Sequence, residues 1–193
     1  MITLKNTELQ HVTPESVGVK SSAIKAFVDE INSKKLGLQS FTMVRHDKVF
    51  AQGFWKPYAA DIPHVLYSMS KSVTSTAVGF AIDEGLLSLD DKVSDFFPEY
   101  FSSKLPVNKM LTVRMLLTMR SDKFITVLDE KGDKDWIKQF FDATFMLPPN
   151  TKFNYISENT FMLSAIISKV TGMSRGDYLN LEMFAPLGIE KPF

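Results

Sequence analysis

Apolar positions at helical spacing begin with Ile24, Phe27, Val28 and Ile31, which fall on one face of a helix. Ser21 or Ser22 stands where a side-chain cap would open that helix. Residues 1–20, punctuated by Pro14 and Gly18, read as an irregular arm. From Ser40 to Phe54 the pattern changes to strand, turn, strand. Phe41-Thr42-Met43-Val44 leads into Arg45-His46-Asp47-Lys48, and Val49-Phe50-Ala51 then runs toward Gly53, which predicts an antiparallel hairpin. The stretch from Ser68 to Gly85 predicts a helix of another kind, rich in Ser, Thr, Ala and Gly, with few charges before Asp83 and Glu84. Small side chains let neighbouring elements approach closely, so a central buried helix is expected. Short helices follow near Thr112–Met119 and Asp133–Ala143. A helix from Glu158 to Val170 ends at Gly172, and another from Ser174 reaches about Phe184 before Pro186 and Gly188. Two strands followed by a mostly helical body predict an α+β fold.

Composition narrows the function classes. The 193 residues are 45% hydrophobic and 23% charged, an ordinary globular balance. Basic and acidic residues number 22 each, so the chain lacks the cationic excess that displaces phosphate counterions, and no nucleic-acid partner is expected. The absence of cysteine excludes disulfides, thiolate nucleophiles and Cys-ligated metals. His11, His46 and His64 are scattered without paired metal spacing, so no metal site is expected, and the candidate chemistry below requires no organic cofactor. Apolar runs such as Phe161–Ile167 fall short of the ~20 residues a bilayer requires, so no membrane span is expected. The start Met1-Ile2-Thr3-Leu4-Lys5-Asn6 lacks the basic and apolar regions of a secretory signal, so either a cytoplasmic location or an already removed leader is expected, and the initial Met favours the first. Asp90-Asp91 and Asp129-Glu130-Lys131 read as solvated turns, and Trp55 and Tyr58, near Pro57, as side chains packed beneath a loop, with the wall of a substrate cleft as the alternative.

The candidate chemistry lies in Ser68-Met69-Ser70-Lys71. Helical residues three apart share a face, which places the lysine beside the serine hydroxyl. Desolvation would lower the lysine pKa and let a neutral amine accept the serine proton. A serine at a helix start also has free backbone N–H groups suited to an oxyanion. An N-cap serine followed by a solvated lysine is the structural alternative. Ser22-Ala23-Ile24-Lys25 repeats the spacing, but Lys25 stands beside Asp29 and Glu30 on an amphipathic helix, and that alternative accounts for it fully. A second element, Phe153-Asn154-Tyr155-Ile156-Ser157, precedes the helix at Glu158. A tyrosine near an ammonium group favours its phenolate form and shuttles protons. Simple packing of Tyr155, with Ser157 as an N-cap, is the alternative there.

Taken together these blocks carry a family resemblance. Tyr67-Ser68-Met69-Ser70-Lys71-Ser72 is followed by Glu84-Gly85-Leu86-Leu87-Ser88-Leu89-Asp90-Asp91-Lys92-Val93 and Phe97-Pro98. Leu111-Thr112-Val113-Arg114-Met115-Leu116-Leu117-Thr118-Met119 comes next. Val170-Thr171-Gly172-Met173-Ser174, Asp177-Tyr178-Leu179 and Phe184-Ala185-Pro186-Leu187-Gly188-Ile189 close the series. The chain resembles the serine β-lactamase/penicillin-binding-protein-like hydrolases, nearest the class C-like branch with its esterases, D-aminopeptidases and 6-aminohexanoate-dimer hydrolases. The resemblance implies Ser68 as acylating nucleophile, Lys71 as its base, Tyr155 as the partner from a Y-x-N motif, and the Ser68 N–H as one oxyanion donor. It implies a small-molecule amide, ester or β-lactam as substrate.

Three departures accompany the resemblance. Ser157 stands where the commonest pattern has Asn, a shorter donor expected to contact substrate. Arg120-Ser121-Asp122 replaces the usual Thr-Ser-Gly, so a different local turn is expected. The sequence ends at Phe193, whereas similar proteins continue for a comparable length, with the remaining strands, a Lys/His-x-Gly motif and a second oxyanion donor. Residues 1–193 are therefore expected to form the N-terminal portion of one β-lactamase-like catalytic domain. Residues 40–54 would be its sheet hairpin and 68–193 its mainly helical part, with the sheet incomplete. Two marginal strands then suggest a C-terminal partner segment, or a homo-oligomer covering the strand edges. Alternatives to an active hydrolase are a fragment that works only beside such a partner, and a non-hydrolytic penicillin-binding module.

Overall fold

The computed structural model describes residues 9–100, 105–124 and 135–189. The chain divides at Leu66 into two compact units.

The N-terminal unit, described over residues 9–65, is a small mixed sheet with one helix. β2 (Ser40–Arg45) and β3 (Lys48–Phe54) pair antiparallel, and β1 (Gln10–His11) pairs parallel to β3, giving the order β1-β3-β2. His46 and Asp47 join the hairpin with φ of 52° and 57°. Two left-handed residues make a connection whose twist matches that of the flanking strands. The arm expected to be irregular therefore supplies a short strand, followed by a 3-10 turn at Pro14–Val17. α1 (Ser21–Ser33) also begins differently from expectation, because Lys20 occupies the cap position without a side-chain bond. The Glu15 carboxylate accepts instead from the Ser21 N–H, at 2.7 Å, and from the Ser21 hydroxyl. An acid from the preceding turn thus satisfies a donor that the helix start leaves open.

Aromatic side chains knit this unit together. Phe27 of α1 meets Phe41 of β2 edge-on at 5.4 Å, and Phe41 meets Trp55 at 5.8 Å. The Trp55 Nε1 donates to Asn32 Oδ1 at 2.7 Å, and Tyr58 stacks on His64 at 4.6 Å.

The second unit is helical. α2 (Ser70–Asp83) packs on α6 (Ser157–Thr171), with α4 (Val113–Leu117) and α7 (Arg175–Leu179) against α6 as well. Ala77, Val78 and Ala81 of α2 join Leu111, Leu116, Phe140, Met162, Ile166 and Ile167 in the buried core. Each large aliphatic or aromatic side chain removed from water there contributes about 1.5–3 kcal/mol. The expectation of a fully buried α2 needs correcting. Thr74, Ala77, Val78 and Ala81 are buried, but Ser72, Ser75, Thr76 and Gly79 on the opposite face are exposed. Small residues on one side allow α6 to approach, while polar small residues on the other can remain in water.

The remaining boundaries follow local chemistry. Gly172, at φ 69°, ends α6 in the left-handed conformation that glycine adopts without strain. Thr112 caps α4 by accepting from the Met115 N–H, and Ser174 caps α7 by accepting from the Asp177 N–H. α7 widens into a π-helical turn at Asn180–Phe184, so the expected single helix changes pitch partway. α3 (Val93–Phe96) is a single turn that buries Val93 and Ser94. α5 (Trp136–Asp142) is capped by Asp135; the expected start at Asp133 and the acidic run Asp129-Glu130-Lys131 lie outside the described residues. Asp90 accepts a forked pair of bonds from Arg114 at 3.0 and 3.2 Å, and Asp91 caps the Ser88 N–H at 2.7 Å. Among the described residues, no helix is long and apolar enough to cross a membrane.

Candidate active site

Ser68 lies in a 3-10 turn, Tyr67–Met69, that runs straight into α2. Tyr67 holds a left-handed φ of 44°, and its carbonyl accepts the Ser70 hydroxyl at 2.7 Å. The turn thereby presents Ser68 at the head of the helix, and Lys71 follows one turn later. Lys71 Nζ donates to Ser68 Oγ at 3.2 Å. Tyr155 arrives from the segment before α6 and places its ring beneath the same ammonium, 5.1 Å from Nζ to the ring centroid.

These three groups share one electrostatic environment. The Tyr155 hydroxyl is held below the ordinary phenol range, first by hydrogen bonding to Ser68, then by hydrogen bonding to Lys71, with the lysine charge adding to both. Ser68, Lys71 and Tyr155 line a cavity of about 290 Å³ together with Ser72, Ser75, Leu116, Leu117, Met119, Thr160 and Leu163. Leu116, Met119, Thr160 and Leu163 form its buried lining, while Ser68 and Tyr155 are exposed.

Of the four residues singled out from sequence, the structure brings three together. Ser157 is the first residue of α6, half-buried, and is not among the residues lining the cavity. Ile156 occupies the cap position, so Ser157 does not serve as the helix cap either. Seven of the ten lining residues were not singled out from sequence, and two of them show why. Thr160 shares a helical face with Leu163, a spacing that signals burial more readily than chemistry. Met119 reaches the cavity because its φ of 56° turns the chain just past α4. A left-handed methionine has no signature in sequence. The second Ser-x-x-Lys pair behaves as its surroundings suggest, with Lys25 paired to Asp29 one turn on.

The strand hairpin with its flanking helix, and a helical unit whose central helix opens on a serine and lysine, define a β-lactamase/transpeptidase-like α+β fold. The chain belongs to the Beta-lactamase family, whose model matches residues 24–193. It is 30% identical over 183 residues to penicillin-binding protein 4 of Amycolatopsis lactamdurans, covering 90% of this chain and 44% of that protein. It is 24% identical over 198 residues to the 6-aminohexanoate-dimer hydrolase of Paenarthrobacter ureafaciens, covering 93% of this chain and 50% of that protein. Among solved structures it resembles a penicillin-binding protein homologue from Caulobacter crescentus with a TM-score of 0.69 and 19% identity, over 94% of this chain and 51% of that one. The chain thus spans about half the length of the curated relatives it matches.

Proposed function

We propose that this chain carries the acylating centre of a serine hydrolase acting on a small amide or ester. The observation that carries the reading is the hydrogen bond from Lys71 Nζ to Ser68 Oγ at the head of α2, with Tyr155 against the same ammonium. Lys71 and Tyr155 share one proton. When it rests on the phenol oxygen, the amine is neutral and accepts the Ser68 proton as Oγ bonds to the substrate carbonyl carbon. The carbonyl π-electrons move to oxygen, where the Ser68 N–H at the helix start stabilises the developing charge. Collapse of that intermediate breaks the bond to the leaving amine or alcohol, which takes its proton from the Tyr155–Lys71 pair. Water then attacks the Ser68 ester, and the acid product leaves with the serine hydroxyl restored.

An amide is favoured over other acyl compounds because a matched relative is a 6-aminohexanoate-dimer hydrolase by name, and an amide bond is what joins two amino acids. The spanned length supports a second reading, in which activity requires a further segment that completes the sheet and supplies the second oxyanion donor. A fluorophosphonate probe on full-length protein, read by peptide mass spectrometry, tests the first. Label on the Ser68 peptide that disappears in Ser68→Ala is expected; label that persists in that variant overturns the assignment. Turnover restored only on adding a separate C-terminal segment selects the second.

A further inference from the structure

Tyr155 reaches the cavity on residues 143–156, a stretch outside any helix or strand. Its position is fixed by the turn that follows α4. Met146 N–H donates to Asp122 O, Asn150 N–H to Arg120 O and Asn154 N–H to Met119 O, each at 2.8 Å. The Asn154 side chain donates to Lys123 O at 3.1 Å. One side chain in the turn joins this ladder. Asp122 Oδ2 accepts from the Thr151 N–H at 3.0 Å and from the Lys152 N–H at 3.2 Å.

Asp122 is an unusual residue at this place. It is 1% exposed, and among the described residues no ion pair reaches it. A buried carboxylate without a cation is costly, and two backbone donors are what offset that cost here. Its φ of 55° is left-handed, as are those of Met119 (56°) and Asn150 (71°) in the same clamp. Backbone this strained persists only where its surroundings over-determine it, and such strain gathers at working sites. Aspartate tolerates the conformation better than most residues, because its short side chain bonds locally. Asp122 therefore combines a left-handed turn with a carboxylate that gathers the main chain three and four residues ahead of Tyr155.

We propose that Asp122 is a positioning residue that sets where the Tyr155 phenol stands relative to Ser68 and Lys71. For its kinetic consequence this rests on the Ser68 reading above; for its structural consequence it does not. Without the carboxylate, Thr151 and Lys152 lose their acceptor and the segment slackens. Displacement of a catalytic group by about 1 Å costs on the order of 100-fold in rate.

Two variants of the full-length protein separate the carboxylate from the backbone. Asp122→Gly adopts the left-handed φ freely and removes only the acceptor. Asp122→Asn tolerates the turn and keeps a neutral acceptor. The readouts are the Tyr155 phenol titration, by ultraviolet difference spectra with Tyr155→Phe subtracted, and turnover. Asp122→Gly is expected to move the titration to higher pH and to lower kcat by about 10- to 100-fold. Asp122→Asn is expected to shift both in the same direction and less. If Asp122→Gly does not fold, the Asp122→Asn titration decides alone. A titration unmoved in the folded variants overturns the proposal, and a lower melting temperature with that titration unmoved does so too. Failure of the Ser68 reading shows separately, as turnover that survives Ser68→Ala, and leaves the titration to judge Asp122.

Discussion

Lys71 and Tyr155 meet as cation and ring, 5.1 Å from Nζ to centroid, and the ammonium lowers the proton affinity of the phenol. The ammonium favours the phenolate, which is one reason the Tyr155 hydroxyl lies below the ordinary phenol range. Lys71→Ala removes that cation, so the Tyr155 titration is expected to move to higher pH. The rising limb of the pH–rate profile reports the pair and not either residue alone, and it moves in the same direction. Loss of general acid–base help of this kind costs about 10²- to 10⁴-fold. Stopped-flow labelling of Ser68 by a fluorophosphonate across pH measures both effects. Wild-type labelling rates in Lys71→Ala would remove the lysine from the mechanism.

The two Ser-x-x-Lys pairs make opposite predictions. Lys25 is solvent-exposed and paired with Asp29, and Ser22 is exposed in the first turn of α1. Ser22→Ala and Lys25→Ala are expected to leave labelling and turnover at wild-type levels. Their stability cost stays within about 1 kcal/mol, as for exposed helix pairs. A labelled Ser22 peptide in mass spectra would contradict this.

How much of this was legible beforehand varies with the physics involved. The hairpin over Ser40–Phe54 and the helix ending at Gly172 were readable because alternation and a C-terminal glycine are local signals. Ser68 and Lys71 were readable because helical spacing fixes their proximity, and Tyr155 because its motif follows them in order. The Glu15 cap on Ser21 was not, since a carboxylate six residues away leaves no periodic trace. Nor was the exposed face of α2, because small residues serve close packing and solvent equally well. Asp122 stood out in sequence only as a departure in the turn after α4. Its role depends on Thr151 and Lys152, about thirty residues on, and the bonds run to main-chain N–H groups that any residue but proline supplies.

Gly53 faces Phe41 across the hairpin, and a Cβ built there would come within 2.5 Å of a ring carbon of Phe41. That ring is already held between Phe27 and Trp55, so it has little freedom to withdraw. Gly53→Ala is expected to destabilise the N-terminal unit by about 1–3 kcal/mol, the usual cost of overpacking. Adding Phe41→Leu, which vacates the ring, is expected to recover part of that loss. Chemical denaturation of the single and double variants measures the coupling, and strictly additive effects would refute it.

Lys123 supplies a test in pH. It is wholly buried, with Nζ donating to Ala143 O at 3.0 Å and Phe141 O at 3.5 Å, between the rings of Phe145 and Phe140. Desolvation pushes its pKa down to about 7 against an ordinary 10.5, with the Asp142 charge opposing the shift. A neutral amine has two N–H groups, enough for these two carbonyls. Between pH 7 and 10.5 the unfolded lysine keeps a proton that the folded one has released. The unfolded state then binds more protons, so raising the pH through that window favours the native state. Below it both forms are protonated and the burial penalty is present in full. Lys123→Met removes the titration, and wild type is expected to gain stability over this variant as pH rises, by at most about 1.4 kcal/mol per pH unit. The variant is expected to equal or exceed wild type at neutral pH, as when a buried charge yields to an apolar side chain of similar volume. Urea denaturation at several pH values reads the difference, and parallel stability curves for the two proteins would show that Lys123 keeps its ordinary ionisation in the core.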